Sequence, residues 1–198
     1  MTDLRRHIAI LGGSFNPVHV GHLKLADYVA SLDDVDQTWL MLSPANPIKE
    51  KPWELIDEAD RLEMLRRAVA DNPRLDVCDL ELSLPRPSYT ANSLRELERR
   101  NPDCRFSLLI GSDNWQIFDR WREPEYIIEN FSPIIYPRPG YPIDADSLPD
   151  GVRLVQAPTF DISSTQIRQG IADGKDMTAY LPPVVAEYIN EHNLYKRK

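Results

Sequence analysis

Gly12-Gly13-Ser14-Phe15-Asn16-Pro17-Val18-His19-Val20-Gly21-His22 stands between two runs of opposite periodicity. Before it, His7-Ile8-Ala9-Ile10-Leu11 is short, apolar and partly β-branched, and reads as a buried strand. After it, Leu23, Leu25, Ala26, Val29 and Ala30 recur at helical spacing. The stretch is therefore a strand–glycine loop–helix junction. Gly12 and Gly13 let the backbone approach a ligand with no Cβ in the way. The free N–H groups and positive dipole end of the next helix favour a phosphate there. His19 and His22 lie three residues apart where that helix begins, so both imidazoles can face one anion. The junction suits a polyphosphate.

Two familiar phosphate loops are excluded. A Gly-x4-Gly-Lys-Ser/Thr loop needs a lysine directly after its glycines, and none follows until Lys24. The dinucleotide fingerprint Gly-x-Gly-x-x-Gly is absent.

Working outward, Gln37-Thr38-Trp39-Leu40-Met41-Leu42 reads as a second strand, ending in the proline-punctuated loop from Ser43 to Lys49. Leu62, Leu65, Ala68 and Val69 mark a helix with acidic residues before it, and Leu75 to Cys78 a third strand. A loop from Pro85 to Ser88 leads through Tyr89-Thr90 into a helix reaching about Arg99. Arg105 to Ile110 is another buried strand, running into Gly111-Ser112-Asp113. A helix over Glu123–Asn130, a strand at Ile134–Tyr136, an exposed loop over Pro137–Gly151 and a strand at Val152–Val155 follow. Two helices close the chain, one from Ser163-Ser164 and one after Pro182-Pro183. Alternating strands and helices predict a parallel sheet covered on both faces, because parallel neighbours need crossovers. In such α/β folds ligands bind beyond the carboxyl ends of the strands. The glycine loop, the Asn46 loop, the Gly111 turn and the last loop should meet on one edge.

Composition bounds the rest. The chain has 198 residues, enough for one α/β domain over 1–198, with a helical part from about 160. A net charge of −8 argues against a nucleic-acid partner, since a phosphate backbone needs a basic face. No apolar run approaches the ~20 residues that span a bilayer, so no membrane partner is expected and the location reads as cytoplasmic. Cys78 and Cys104 are two small buried residues rather than a disulfide framework or zinc site. Asp33-Asp34-Val35-Asp36 reads as a solvated loop.

Ile162-Ser163-Ser164-Thr165-Gln166-Ile167-Arg168 forms a second signature. Serines there suit a helix N-cap. They also suit an anion, with hydroxyls, free N–H groups and Arg168 aimed at one point. Together with His-x-Gly-His, this Ile-Ser-Ser-Thr-x-Ile-Arg run resembles the nucleotidyltransferase superfamily. Pro87-Ser88-Tyr89-Thr90, Gly111-Ser112-Asp113, Trp121, Arg138-Pro139-Gly140-Tyr141 and the ending Leu181-Pro182…Tyr188-Ile189…Leu194-Tyr195 narrow it. In that order they look like the bacterial nicotinate-nucleotide adenylyltransferases, over nearly the whole chain. One departure stands out. Members of that family typically carry Pro-Pro-His-Lys where this chain has Asn46-Pro47-Ile48-Lys49.

The resemblance implies a Rossmann-like, doubly wound, three-layer α/β/α fold. It implies transfer of the adenylyl group of ATP to nicotinate mononucleotide, giving nicotinate adenine dinucleotide and pyrophosphate, with Mg2+ accompanying ATP. By resemblance His19, His22 and Arg168 are the catalytic groups. Gly12, Gly13, Ser14, Phe15, Gly111, Asp113, Ser163 and Ser164 join them on ATP. Ser14, Asn46, Lys49, Tyr89, Thr90, Trp121 and Arg138 hold the nicotinate nucleotide. Asp113 and Thr90 are alternatively helix caps, and Trp121 alternatively core. No carboxylate cluster at metal-ligand spacing is evident. A phosphopantetheine or other small-molecule nucleotidyltransferase, and a non-catalytic nucleotide-binding protein, remain the rival readings, and a homo-oligomer is left open.

Overall fold

Six parallel strands form one sheet in the order β3-β2-β1-β4-β5-β6. The computed structural model describes residues 4–44 and 55–196. The strands are β1 (Arg6–Gly13), β2 (Gln37–Leu42), β3 (Leu75–Cys78), β4 (Cys104–Gly111), β5 (Ile134–Tyr136) and β6 (Arg153–Leu154). The helices are α1 (Val20–Ala30), α2 (Glu58–Val69), α3 (Thr90–Arg100), the single turn α4 (Ser112–Trp115), α5 (Pro124–Phe131), α6 (Ser164–Ala172) and α7 (Pro183–Glu191).

Side chains alternate across a strand, so one strand feeds two cores. Ala9 and Leu11 of β1 join the apolar cluster under α1, α2, α6 and α7. Ile8 and Ile10 join the opposite cluster, under α3 and α5. This is the doubly wound, three-layer α/β/α arrangement. The sheet runs outward in both directions from the β1–β4 pair, where Ile8 faces Phe106 and Ile10 faces Leu108. That pair is the switch point, beyond whose carboxyl end a crevice opens.

Local chemistry accounts for the helix starts. Asp57 caps α2, its carboxylate accepting from the Ala59 N–H at 3.0 Å. Pro124 and Pro183 occupy first-turn positions where no N–H is needed. Three expectations shift. The last strand shrinks from 152–155 to Arg153–Leu154. The helix expected over Glu123–Asn130 runs Pro124–Phe131, because Glu123 is left-handed at φ 55°. The Asp33–Asp36 run is also more than a solvated loop. Asp34 pairs with Arg153 at 3.0 Å, its carbonyl takes the His7 ring, and the Asp36 carboxylate accepts the His7 N–H at 2.6 Å. These acids stitch together the amino ends of β1 and β6, opposite the crevice.

Candidate active site

The glycine loop leaves β1 and turns into α1 at the switch point. His19 is the N-cap of α1, and its Nδ1 accepts from the Gly21 N–H at 3.2 Å. His22 Nδ1 in turn accepts from the His19 N–H at 3.3 Å. The rings stack with centroids 3.7 Å apart. Gly21 is what allows this: a Cβ there would lie 3.0 Å from the His19 ring and 3.3 Å from Phe160. Each Nδ1 is engaged as an acceptor, which assigns the proton of each neutral ring to Nε2. The motif therefore presents two parallel N–H donors.

Both rings are held neutral in the free protein. Burial first, then the Arg138 charge, brings His19 down to about 4. Burial, His19 and Arg138 push His22 well below the ordinary histidine value. His7, buried beside Ser107 and Asp34, shifts the same way through burial. A group with a lowered folded pKa contributes stability in full above its unfolded value near 6.5. It loses that contribution as pH falls toward the folded value. The ligand-free protein should therefore lose stability between pH 6.5 and 4, by about 3 kcal/mol from His19 alone. Thermal melts across that range check this, and His19→Gln should flatten the slope.

Phe15 is 2% exposed, has φ 45°, and sets its ring edge-on to His22 at 5.1 Å. A bulky residue in the left-handed region is strained. Here it braces the loop from below, leaving its backbone for a ligand.

The second signature is fastened to the first. Arg168 Nη1 donates to the Asn16 carbonyl at 2.9 Å, and Ser164 Oγ donates to the Pro17 carbonyl at 2.9 Å. Ser163 makes a capping box with Gln166 at the start of α6, so the capping role is realised for it. It is not realised for Thr90 or Asp113. Tyr89 is the N-cap position of α3 and Gly111 that of α4, and neither helix has a side-chain cap bond. Asp113 instead lies 3.9 Å from Arg138 Nε. Gly111 is required by close approach: a Cβ would meet Asp113 Oδ1 at 2.5 Å and the Tyr136 ring at 3.1 Å.

Two cavities open along this edge. The larger, about 340 Å³, is lined by Gly12, Gly13 and Ser14 on one side and Tyr89, Thr90 and Trp121 on the other. Ser88 Oγ and Trp121 Nε1 are buried there with no hydrogen-bond partner among the described residues. The smaller, about 40 Å³, holds His19, His22, Arg138 and Phe160. Arg138, expected on the nicotinate nucleotide with Trp121, thus sits beside the histidines. Asn46 and Lys49 lie outside the described residues.

Sequence reasoning missed three groups. Arg61 is 1% exposed and donates to the carbonyls of Ser14 (2.8 Å), Ser43 (2.9 Å), Pro44 (2.8 Å) and Ile56 (3.3 Å). It fixes the glycine loop against the exit of β2. Arg122 lies over the Tyr89 ring at 4.8 Å and lines the larger cavity, where its charge suits an anionic ligand. The Arg120-Trp121-Arg122 run was the available signal. Tyr136 lines both cavities.

A strand–glycine loop–helix junction with paired histidines, tied to a serine–arginine helix start, defines a nucleotidyltransferase of the cytidylyltransferase-like family, whose model matches residues 10–170. Within it, the chain belongs to the nicotinate-nucleotide adenylyltransferases. It is 48% identical over 183 residues to the "probable nicotinate-nucleotide adenylyltransferase" of Bacteroides thetaiotaomicron, covering 92% of this chain and 90% of that one. The protein of the same description from Azobacteroides pseudotrichonymphae is 41% identical, covering 96% and 98%. The fold matches Plasmodium falciparum nicotinic acid mononucleotide adenylyltransferase, solved as its complex with NaAD. That match has a TM-score of 0.78 at 23% identity, over 96% and 97% of the two chains.

Proposed function

We infer that this protein joins ATP to nicotinate mononucleotide, releasing pyrophosphate and forming nicotinate adenine dinucleotide for NAD biosynthesis. The observation that carries the reading is the pairing of cavities along one edge. One is large and lined by Trp121 and the glycine loop; the other is lined by His19, His22 and Arg138.

In the proposed reaction an oxygen of the nicotinate mononucleotide phosphate attacks the α-phosphorus of ATP. The bond from that phosphorus to the bridging oxygen breaks, and pyrophosphate leaves with the electron pair. The nucleophile is already ionised, so no strong base is called for; positioning and charge stabilisation are. His22 donates to the α-phosphate and His19 to its neighbour, while Gly12, Gly13, Ser14 and Phe15 offer backbone to the shared phosphate path. The free N–H groups at the start of α6, with Ser163, Ser164 and Arg168, face the leaving pyrophosphate. Asp113 and Gly111 bound the nucleotide near its ribose. Trp121 stacks on the pyridine ring, with Tyr89, Thr90 and the buried Ser88 hydroxyl toward the carboxylate. Lys49 and Asn46 are assigned to the same nucleotide.

Magnesium enters as part of the ATP substrate. Among the described residues no group of three or more His, Cys, Asp or Glu is arranged to hold a metal ion. The nitrogen-bearing side chains lining the smaller cavity, His19, His22 and Arg138, suit an anion. The ion is then held by phosphate and water.

Pyrophosphate release from magnesium–ATP tests the reading, with nicotinate mononucleotide, nicotinamide mononucleotide and phosphopantetheine offered in parallel. Turnover with the first is expected; turnover with phosphopantetheine alone overturns the substrate. Trp121→Ala should raise KM for nicotinate mononucleotide about tenfold, since stacking on an aromatic face supplies roughly that much. KM for ATP should not move.

A further inference from the structure

Tyr136 ends β5 and is the one side chain named so far that faces both cavities. It is 9% exposed, and its ring lies against Gly111, where any Cβ would be 3.1 Å from Cζ and Oη. Ring position is therefore fixed by β4. The hydroxyl accepts from Arg138 Nη2 at 3.2 Å, and the Arg138 guanidinium stands 5.3 Å from the ring centroid. Arg138 is otherwise a long side chain, 42% exposed, on a turn leaving the sheet. Its backbone is anchored, the N–H donating to Ser112 Oγ at 2.8 Å. Its guanidinium has Asp113 at 3.9 Å and the Tyr136 hydroxyl at 3.2 Å.

We propose that Tyr136 is a positioning residue, whose hydroxyl tethers the Arg138 guanidinium beside His19 and His22, where a nucleoside triphosphate binds. The inference rests on the adenylyl-transfer reading and deepens it. A free arginine arm has many rotamers, and ordering it on substrate costs entropy at each turnover. Tyr136 orders it beforehand, from a ring that the sheet holds still. The same ring lines both cavities, so on the adenylyl-transfer reading the tethered charge lies close to where the two substrates meet. That placement favours charge gathered during transfer over charge spread along bound ATP.

Tyr136→Phe keeps the ring, its fit on Gly111 and the fold, and removes one oxygen. Its kcat should fall about fivefold and its affinity for ATP, by calorimetry, about threefold, the scale of one hydrogen bond to a charged group near the surface. KM for nicotinate mononucleotide should stay unchanged. Both losses should vanish when the same change is made in an Arg138→Ala background, because the hydroxyl would then have nothing to hold. Wild-type rates for Tyr136→Phe, or losses of equal size in both backgrounds, would overturn the tether. Wild-type silence with nicotinate mononucleotide would instead sink the substrate reading, and the ATP-binding cycle would still decide the tether. Absence of ATP binding by the wild type would overturn both.

Discussion

His22→Ala should lower kcat by about 10²- to 10³-fold while KM for ATP changes no more than about threefold. The reason lies in how the ring is held. His22 Nδ1 is occupied by the His19 N–H at 3.3 Å, so Nε2–H is fixed as a donor before ATP arrives. A donor aimed in advance costs no reorganisation when charge gathers on the α-phosphate. In the proposed site ATP has other handles on this edge, from backbone N–H groups to Arg168, so ground-state binding should depend little on one imidazole. Steady-state kinetics with saturating nicotinate mononucleotide, on a variant whose circular dichroism matches wild type, separates the two quantities. A rise in KM with kcat unchanged would mean that His22 only binds. Full activity would favour a scaffold in which the histidines are structural.

Arg61→Met should destabilise the fold by about 4 kcal/mol and abolish turnover with it. Methionine approximates the length of the arginine stem but leaves the carbonyls of Ser14, Ser43, Pro44 and Ile56 without this buried donor. Each unsatisfied buried carbonyl costs about 1–3 kcal/mol, part of which relaxation and water entry recover. For a chain of this size the melting point should drop by about 8–16 °C. Urea unfolding measures the loss directly. A change under about 1 kcal/mol would show that the four carbonyls find other donors and that the clamp is dispensable.

The contrast between His22 and Arg61 shows what was legible in the sequence. The glycine loop, both histidines and the α6 signature are local patterns, and local patterns survive in one dimension. The short apolar run Ile8-Ala9-Ile10-Leu11 likewise announced a buried strand. Arg61 could not be read this way. It stands in a helix rich in Glu, Asp and Arg, where an arginine looks like one more surface charge. Only the tertiary approach of the glycine loop to the residues after β2 and before α2 turns it into a buried clamp. Arg138 was identified as a site residue, yet the cavity it lines depends on how the 138–141 turn leaves β5. Tyr136 read as a strand residue, and a strand residue it is, with a hydroxyl whose use depends on its neighbour two positions on.

Two of the bonds that shape the glycine loop come from far along the chain. Arg168 reaches back across 152 positions to the Asn16 carbonyl, and the Tyr195 hydroxyl across 179 to the Asn16 side chain. During synthesis the whole His-x-Gly-His segment emerges long before either partner exists. The nascent chain thus carries its first signature early but gains this geometry only after α6 and the residues beyond α7 have been made and docked. Nucleotide affinity is in this sense a late product of folding, and a truncated chain that keeps every residue of the first signature would still lack the contacts that set it.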